Sequence, residues 1–149
     1  MSLLQRIESD LHDAIKSKDD IVLRTLRMLK SDIMYEKTKG EGELPEEKVL
    51  EIVTRASKKR KEAIGEFEKA GRNDLAEREK EELLVIEKYL PEQLGEEDAS
   101  AIIDRIIRDM GEVSKKDFGK VMGPVMKELK GKIDGGIVKR LLTEKLEKL

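Results

Sequence analysis

The sequence contains no cysteine and no tryptophan, and only two phenylalanines and two tyrosines among its 149 residues. Without cysteine there can be no disulfide, no thiolate nucleophile and no cysteine-ligated metal. Because aromatic side chains make up 3% of the chain, the core must be aliphatic. These absences point away from a disulfide-stapled domain and from cysteine-based catalysis.

Long apolar runs are absent as well. No stretch approaches the roughly 18 apolar residues of a membrane-spanning helix. The N-terminal segment MSLLQRIESDLHD becomes acidic at once and has no apolar signal core. We therefore expect a soluble, cytoplasmic protein without a membrane partner.

The common catalytic and metal-binding motifs are missing too. The single histidine, His12, lies between Asp10 and Asp13 beside the apolar stripe of the first helix, which is typical of a surface position. No GxSxG, HExxH, CxxC or EF-hand pattern occurs. We therefore predict no catalytic residue, no metal site and no cofactor.

What the chain has in quantity is balanced charge. Charged residues make up 43% of it, with 31 basic and 33 acidic side chains. Aliphatic residues recur between them at helical spacing, so disorder is not expected. Such a sequence predicts long, solvated helices that carry ion pairs along their surfaces.

The periodicity predicts seven helices and no strand, which is an all-α fold. The charge balance shifts after Pro91: residues 1–92 carry a net charge of −3 and residues 93–149 a net charge of +1. We therefore predict a larger N-terminal bundle of about four helices over residues 1–92 and a small three-helix bundle over residues 93–149. Residues 38–44 read as a loop, and Pro45 suits the first turn of the third helix. Gly71 and Gly111 are expected helix ends, and the predicted N-caps are Ser2, Asp19 or Asp20, Asn73 or Asp74, Ser114 and Asp134.

Acidic residues crowd the fourth helix, at Glu77, Glu79, Glu81 and Glu82. Paired carboxylates can perform acid–base chemistry, and an amide-transfer site made of Glu79 or Glu82 with Arg72 is one hypothesis. A solvated helix face is the favoured interpretation. One or two of these acids are alternatively expected to pair with Arg72 or Arg24.

The densest basic cluster lies on the third helix and comprises Arg55, Lys58, Lys59, Arg60 and Lys61. A cluster of this kind can neutralise several phosphates of a nucleic acid. Acidic residues follow it directly, so the positive field is local. Ion pairing on the helix surface is favoured over phosphate contact.

The sixth helix breaks local rules, because Gly119 and Gly123 lie one turn apart and Pro124 follows inside the apolar stripe. Glycines at this spacing allow another backbone to approach closely. Tight packing against the seventh helix, with a kink, is the favoured reason. The alternative is a surface that another macromolecule's backbone approaches.

Lysines and glycines are interleaved through the whole C-terminal run. Backbone amides near Asp134 to Ile137 are expected to favour an anion. No base-stacking aromatic residue accompanies them, so a rigid RNA recognised by its shape fits better than a single strand. The candidate nucleic-acid-binding residues are Lys120, Lys127, Lys130, Lys132, Lys139, Arg140, Gly119, Gly123, Gly131 and Gly135.

Two stretches, AGRNDLAEREKEELLVIEKYLPEQL and FGKVMGPVMKELKGKIDGGIVKRLL, with KKRKEAIGEF before the first, resemble the YqeY-like family. That family is related to the tail region of the B subunit of tRNA-dependent amidotransferases. The resemblance covers essentially the whole chain in order. Its signature residues, all expected to be structural, are Phe67, Gly71, Arg72, Asp74, Leu75, Glu79, Glu82, Tyr89, Leu90 and Pro91.

The resemblance implies the same two-part helical fold and a tRNA-related role. In the amidotransferase the related tail engages the tRNA body, while the chemistry happens elsewhere. The family is grouped under carbon–nitrogen ligase activity with glutamine as amide donor, which we interpret as a property of the parent complex, because these residues supply no nucleophile or phosphoryl-transfer site. The resemblance thus favours a tRNA-binding or amidotransferase-associated accessory protein. A module that docks on an amidotransferase or aminoacyl-tRNA synthetase complex is the alternative.

Overall fold

The computed structural model describes residues 1–40 and 42–149. Within them the chain forms seven α-helices, one 3-10 turn and no strand, so the prediction of an all-α fold is confirmed. The predicted loop over residues 38–44 begins later than expected, since the second helix includes Thr38; Glu41 of that loop lies outside the described residues. The helices are α1 Leu3–Ser17, α2 Asp20–Thr38, α3 Glu46–Lys69, α4 Asn73–Glu87, α5 Glu96–Met110, α6 Phe118–Leu129 and α7 Gly135–Glu147, with the 3-10 turn at Lys115–Asp117.

The helix ends follow local chemistry in most places. Ser2 and Gln5 form a reciprocal capping box at the start of α1, and Asp19 caps α2 through the Val22 amide. Gly71 and Gly111 take positive φ angles of 73° and 84° where α3 and α5 end, which glycine adopts without steric cost.

Three predicted helix starts differ from the structure. Arg72, rather than Asn73 or Asp74, occupies the N-cap of α4, and it makes no side-chain cap. Ser114 caps the 3-10 turn together with Asp117, so α6 begins only at Phe118. Pro45 is the N-cap of α3 and not its first residue. In each case a neighbouring residue can take the same role, and the sequence does not rank the candidates.

The chain divides into two compact units, Met1–Pro91 and Glu92–Leu149. In the first unit, α1 to α4 bury one aliphatic cluster, and in the second, α5 to α7 bury another. Fully burying a side chain of this size stabilises the fold by about 1.5–3 kcal/mol, so each cluster is the main source of its unit's stability. The fully buried large side chains are Ile7, Leu26, Leu29, Ile33, Val53 and Ile86 in the first unit, and Ile103, Val121, Val125, Leu129, Val138 and Leu142 in the second.

Among the described residues, no helix has the length and apolar content needed to cross a membrane.

Candidate nucleic-acid interface

One face of α6 combines bare backbone with basic side chains. The buried residues Val121, Val125 and Leu129 define the inner side of this helix. At 100° per residue, Gly119 and Gly123 fall on the opposite side, and both are exposed. An added Cβ at either glycine would meet no atom within 4 Å. The favoured interpretation, close packing of these glycines against α7, is therefore wrong.

Lysines border this bare backbone along its whole length. Three lysines near Gly119 are exposed: Lys116 lies three residues before it, Lys120 one residue after it and Lys127 eight residues after it. We call the surface made of Lys116, Gly119, Lys120, Gly123 and Lys127 the α6 strip. It spans about 16 Å at 1.5 Å per residue and includes no acidic residue. A phosphate that approaches the strip meets these lysines and one neighbouring carboxylate, that of Asp117 beside Lys120.

The lysines of the α6 strip differ in how far they are neutralised. Lys120 has a side chain 80% exposed and lies 3.8 Å from Asp117. Among the described residues, Lys116 and Lys127 form no ion pair, so their charge is available to a partner. Sequence reasoning missed Lys116, which lies in the 3-10 turn just before α6.

Pro124 adds a polar group to the same region. It lies exposed inside α6, which continues through it to Leu129. Proline has no N–H and cannot donate to the carbonyl four residues earlier, which here belongs to Lys120. The α6 strip thus offers a backbone acceptor that lacks its usual helical donor.

The loop after α6 has a structural role. Gly131 takes a φ of 79°, and its carbonyl accepts a hydrogen bond of 2.7 Å from the Gln93 side chain. The Lys132 carbonyl accepts one of 2.8 Å from the Leu94 amide. Gly131 and Lys132 therefore anchor the segment that follows Pro91, while Lys130 at the end of α6 is exposed.

The start of α7 does not provide the predicted anion site. Asp134 caps it, accepting from the Gly136 amide at 3.4 Å, while the Ile137 and Val138 amides donate to the Asp134 carbonyl. An anion would have to displace the Asp134 carboxylate, and would be repelled by it. The expectation of open amides at Asp134 to Ile137 is therefore wrong, although an added Cβ at Gly135 would meet no atom within 4 Å.

The remaining basic candidates of this unit lie on α7. Arg140 is half exposed and contacts both Glu96 and Glu144, the latter at 3.3 Å. Lys139 is exposed and has no ion pair among the described residues. Arg140 is thus already neutralised, and Lys139 remains a candidate contact.

The basic cluster of α3 divides into two parts. Arg60 turns inward, where its Nε lies 3.2 Å from Glu82 and 3.5 Å from Glu79. This buried Nε has no aligned hydrogen-bond acceptor, so it is held by charge rather than by a good hydrogen bond. Arg60 also donates to the Met28 sulfur. The other four members of the predicted cluster are exposed: Arg55, Lys58, Lys59 and Lys61.

Glu82 is the centre of an ion-pair cluster between helices. Its residue is only 9% exposed, and a second arginine, Arg24 of α2, approaches it with Nε at 3.1 Å. The expectation that one of the α4 acids pairs with Arg24 is confirmed. Since a buried carboxylate is costly unless paired, the two arginines explain why Glu82 can be there.

The hypothetical amide-transfer site does not assemble. Arg72 pairs with Asp74 at 3.3 Å and not with Glu79 or Glu82. The hydrogen bond from Arg72 lowers the pKa of Asp74, and both side chains are exposed. Arg72 and Asp74 therefore form a local pair at the start of α4.

Tyr89 ties the end of α4 to α1. Its hydroxyl donates to Asp10 at 2.5 Å, and the Arg6 guanidinium lies 5.4 Å from the centre of its ring. Burial, followed by the bond to Asp10, raises the pKa of Tyr89. Leu90 packs against the core of the first unit, and Phe67 and Leu75 are half-buried. Tyr89 and Leu90 thus make structural contacts within the first unit.

Comparison with known proteins gives relatives in fungi. An uncharacterized protein of Schizosaccharomyces pombe is 36% identical over 86 residues, which cover 58% of this chain and 70% of the relative. A protein of Pyrenophora tritici-repentis named "Altered inheritance of mitochondria protein 41, mitochondrial" is 28% identical over 126 residues, 83% of this chain and 69% of that protein. The protein of the same name in Lachancea thermotolerans is 35% identical over 85 residues, and the match spans only 46% of its length.

These names correct the expected location. Four of the relatives are named as mitochondrial proteins, which points to mitochondria rather than the cytoplasm. The expectation rested on the absence of an apolar signal core, a criterion that concerns secretion and does not address mitochondrial import.

The family itself is shown by a match over nearly the whole chain. The family description "Yqey-like protein" fits residues 4–146, which include every helix of both units except the last residue of α7 and the first of α1. The chain therefore belongs to the YqeY-like family.

Proposed function

We propose that this protein is an accessory factor that binds the backbone of a folded RNA, with tRNA as the intended class, through the α6 strip. The observation that carries the proposal is that three exposed lysines lie beside two exposed glycines. A Cβ added at either glycine would meet no atom within 4 Å. Lysines neutralise phosphates, and bare backbone lets a sugar–phosphate chain come close. The family resemblance to the amidotransferase tail supports tRNA as the RNA to test first.

RNA suits this surface better than DNA for one further reason. A ribose 2′-hydroxyl can donate a hydrogen bond, and this group distinguishes RNA from DNA in a protein complex. The Lys120 carbonyl, which Pro124 leaves without its usual donor, is an acceptor within the α6 strip. We therefore expect a folded RNA to bind more tightly than a DNA duplex of equal charge.

The test is tRNA binding by fluorescence anisotropy across a salt series, with organellar tRNA in the panel because of the relatives' names. Three phosphate contacts predict that log K falls against log salt with a slope of about −2 to −3. The triple variant Lys116→Ala, Lys120→Ala, Lys127→Ala should weaken binding at least tenfold. Its control, Lys16→Ala, Lys61→Ala, Lys69→Ala, removes the same charge from exposed sites of the first unit. No binding at low salt, or an equal loss in both triple variants, would overturn the proposal.

A protein-docking role is the alternative, and one observation favours it. Several cations of the second unit are already paired with acids, including Arg105 with Glu128 and Lys145 with Asp104. Such mixed charge suits a protein surface as well as an RNA. Capture of an amidotransferase or aminoacyl-tRNA synthetase complex that survives nuclease treatment and depends on the α6 strip would favour this alternative.

A further inference from the structure

A groove of about 420 Å³ lies between α2 and α3 of the first unit, far in sequence from the α6 strip. Its floor is apolar, made of the side chains of Met28, Ile52 and Ala56. Small-molecule sites commonly fall between about 300 and 1,000 Å³ and combine an apolar base with a few polar groups. The groove therefore has the size and make-up for one small ligand.

The α3 wall of the groove is positive. Arg55 and Lys59 lie one turn apart on α3, line the groove and are exposed. Within residues 1–40 and 42–149 neither of them forms an ion pair, whereas Arg60, beside them, is held by Glu79 and Glu82. Two cations at this spacing, neither of them ion-paired, are suited to a phosphate group.

The α2 wall carries an aromatic ring and acidic groups. Tyr35 is 63% exposed, and the Lys39 ammonium lies 4.5 Å from the centre of its ring. Lys39 is itself paired with Glu36 at 3.5 Å, and Asp32 lines the groove one turn before Tyr35. An aromatic face attracts a nucleobase through stacking, and a carboxylate accepts hydrogen bonds from hydroxyl or amino groups.

The opposite character of the two walls gives the ligand an orientation. A phosphate is attracted to the α3 wall and repelled by Asp32 and Glu36 of the α2 wall. A base and sugar find an aromatic ring, apolar floor and acceptors on the α2 side. We propose that this groove binds a nucleotide, with the phosphate on Arg55 and Lys59 and the base against Tyr35.

The same chemistry exists in a free nucleotide and in the phosphorylated end of an RNA chain. The experiment therefore uses two arms on the full-length protein: the four ribonucleoside monophosphates, and a short oligoribonucleotide with a terminal phosphate. Binding is followed by ¹H–¹⁵N chemical shifts, and inorganic phosphate and the matching nucleosides serve as partial ligands. A nucleotide should bind at least tenfold more tightly than either half alone, with shifts confined to α2 and α3.

The variants separate the two walls. Arg55→Ala with Lys59→Ala should weaken binding at least tenfold, and Tyr35→Ala should do the same while Tyr35→Phe, which keeps the ring, binds like the parent. Lys61→Ala is the matched control, because Lys61 is exposed on a different face of α3. The α6-strip triple variant should bind nucleotide normally, which separates this proposal from the RNA-binding one.

Three results would overturn the proposal. They are the absence of shifts in both arms, shifts of equal size with phosphate alone, and nucleotide binding unchanged in both the Arg55/Lys59 and Tyr35 variants. Binding in either arm with the expected variant pattern supports it, and the arm with the higher affinity identifies the source of the nucleotide.

Discussion

Two pairs of basic residues, one from each unit, are used in opposite ways. In the first unit, Arg24 of α2 and Arg60 of α3 turn toward Glu82 of α4, which neutralises their charge. In the second unit, Lys127 of α6 and Lys116 of the 3-10 turn before it are exposed and form no ion pair among the described residues. Clusters that look alike in sequence thus differ in accessibility. A basic run alone does not identify a binding surface, whereas the side of the helix on which it lies does.

The largest expected effect of a substitution is at Glu82. Glu82→Ala removes the carboxylate that Arg24 and Arg60 share, and leaves Arg60 with Glu79 alone, at 3.5 Å. Breaking a buried ion pair by removing one partner costs about 3–5 kcal/mol, and we expect about 3 kcal/mol because Arg24 keeps partial contact with water. Urea unfolding measures the loss. Glu81→Gln, on the exposed side of α4, is the control, and a loss below about 1 kcal/mol would show that the cluster is not structurally important.

A smaller effect is expected at Tyr89. Tyr89→Phe removes the hydrogen bond to the Asp10 carboxylate and should lower the free energy of unfolding by about 1.5 kcal/mol at neutral pH. The pKa of Tyr89 is raised above its ordinary value of 10.0 in the folded state, so the unfolded chain loses this proton first. The stability from the neutral phenol is therefore complete below about pH 10 and declines above it.

The difference between the parent and Tyr89→Phe should consequently narrow as the pH rises past 10. Stability curves of both proteins from pH 7 to pH 11 measure this, since the lysines and arginines titrate alike in the two. A difference that stays constant over this range would contradict the assigned hydrogen bond.

The α6 strip predicts a small effect of the opposite sign. Gly119→Ala lies in a helix, at a position where the added Cβ meets no atom within 4 Å, so it should raise the free energy of unfolding by about 0.5 kcal/mol. The same methyl group narrows the approach to the backbone and should weaken RNA binding. If the variant is more stable and binds RNA less tightly, the α6 strip is a binding surface. If both its stability and its RNA affinity increase, the proposed close approach of the RNA backbone to Gly119 is contradicted.

Arg72 should give the smallest effect, despite its place in the family signature. Among the described residues its side chain forms an ion pair only with Asp74, and both side chains are exposed. Exposed pairs contribute little to stability, so Arg72→Ala should unfold at the parent's urea midpoint. A clear destabilisation would show that Arg72 has a role beyond this local pair.

The helices and most of their ends were predictable, because aliphatic spacing and capping residues are local signals. Ser2, Asp19, Gly71 and Gly111 act as predicted. The inward turn of Arg60 was not predictable, because it depends on α4 bringing Glu79 and Glu82 across from a later part of the chain. Likewise, Asp134 accepts from two amides that looked open to an anion, from Gly136 through its carboxylate and from Ile137 through its backbone carbonyl. The exposure of Gly119 and Gly123 was predictable, because both glycines lie on the face of α6 opposite the apolar residues Val121 and Val125.

The two hydrogen bonds from Gln93 and Leu94 to the loop after α6 have a practical consequence for dissecting the molecule. These residues precede α5 in the chain, yet their hydrogen bonds hold the loop that connects α6 to α7. A fragment meant to isolate the three C-terminal helices must therefore begin no later than Glu92. A fragment that begins at Gly95 would keep all three helices but lose both hydrogen bonds that hold the loop between α6 and α7.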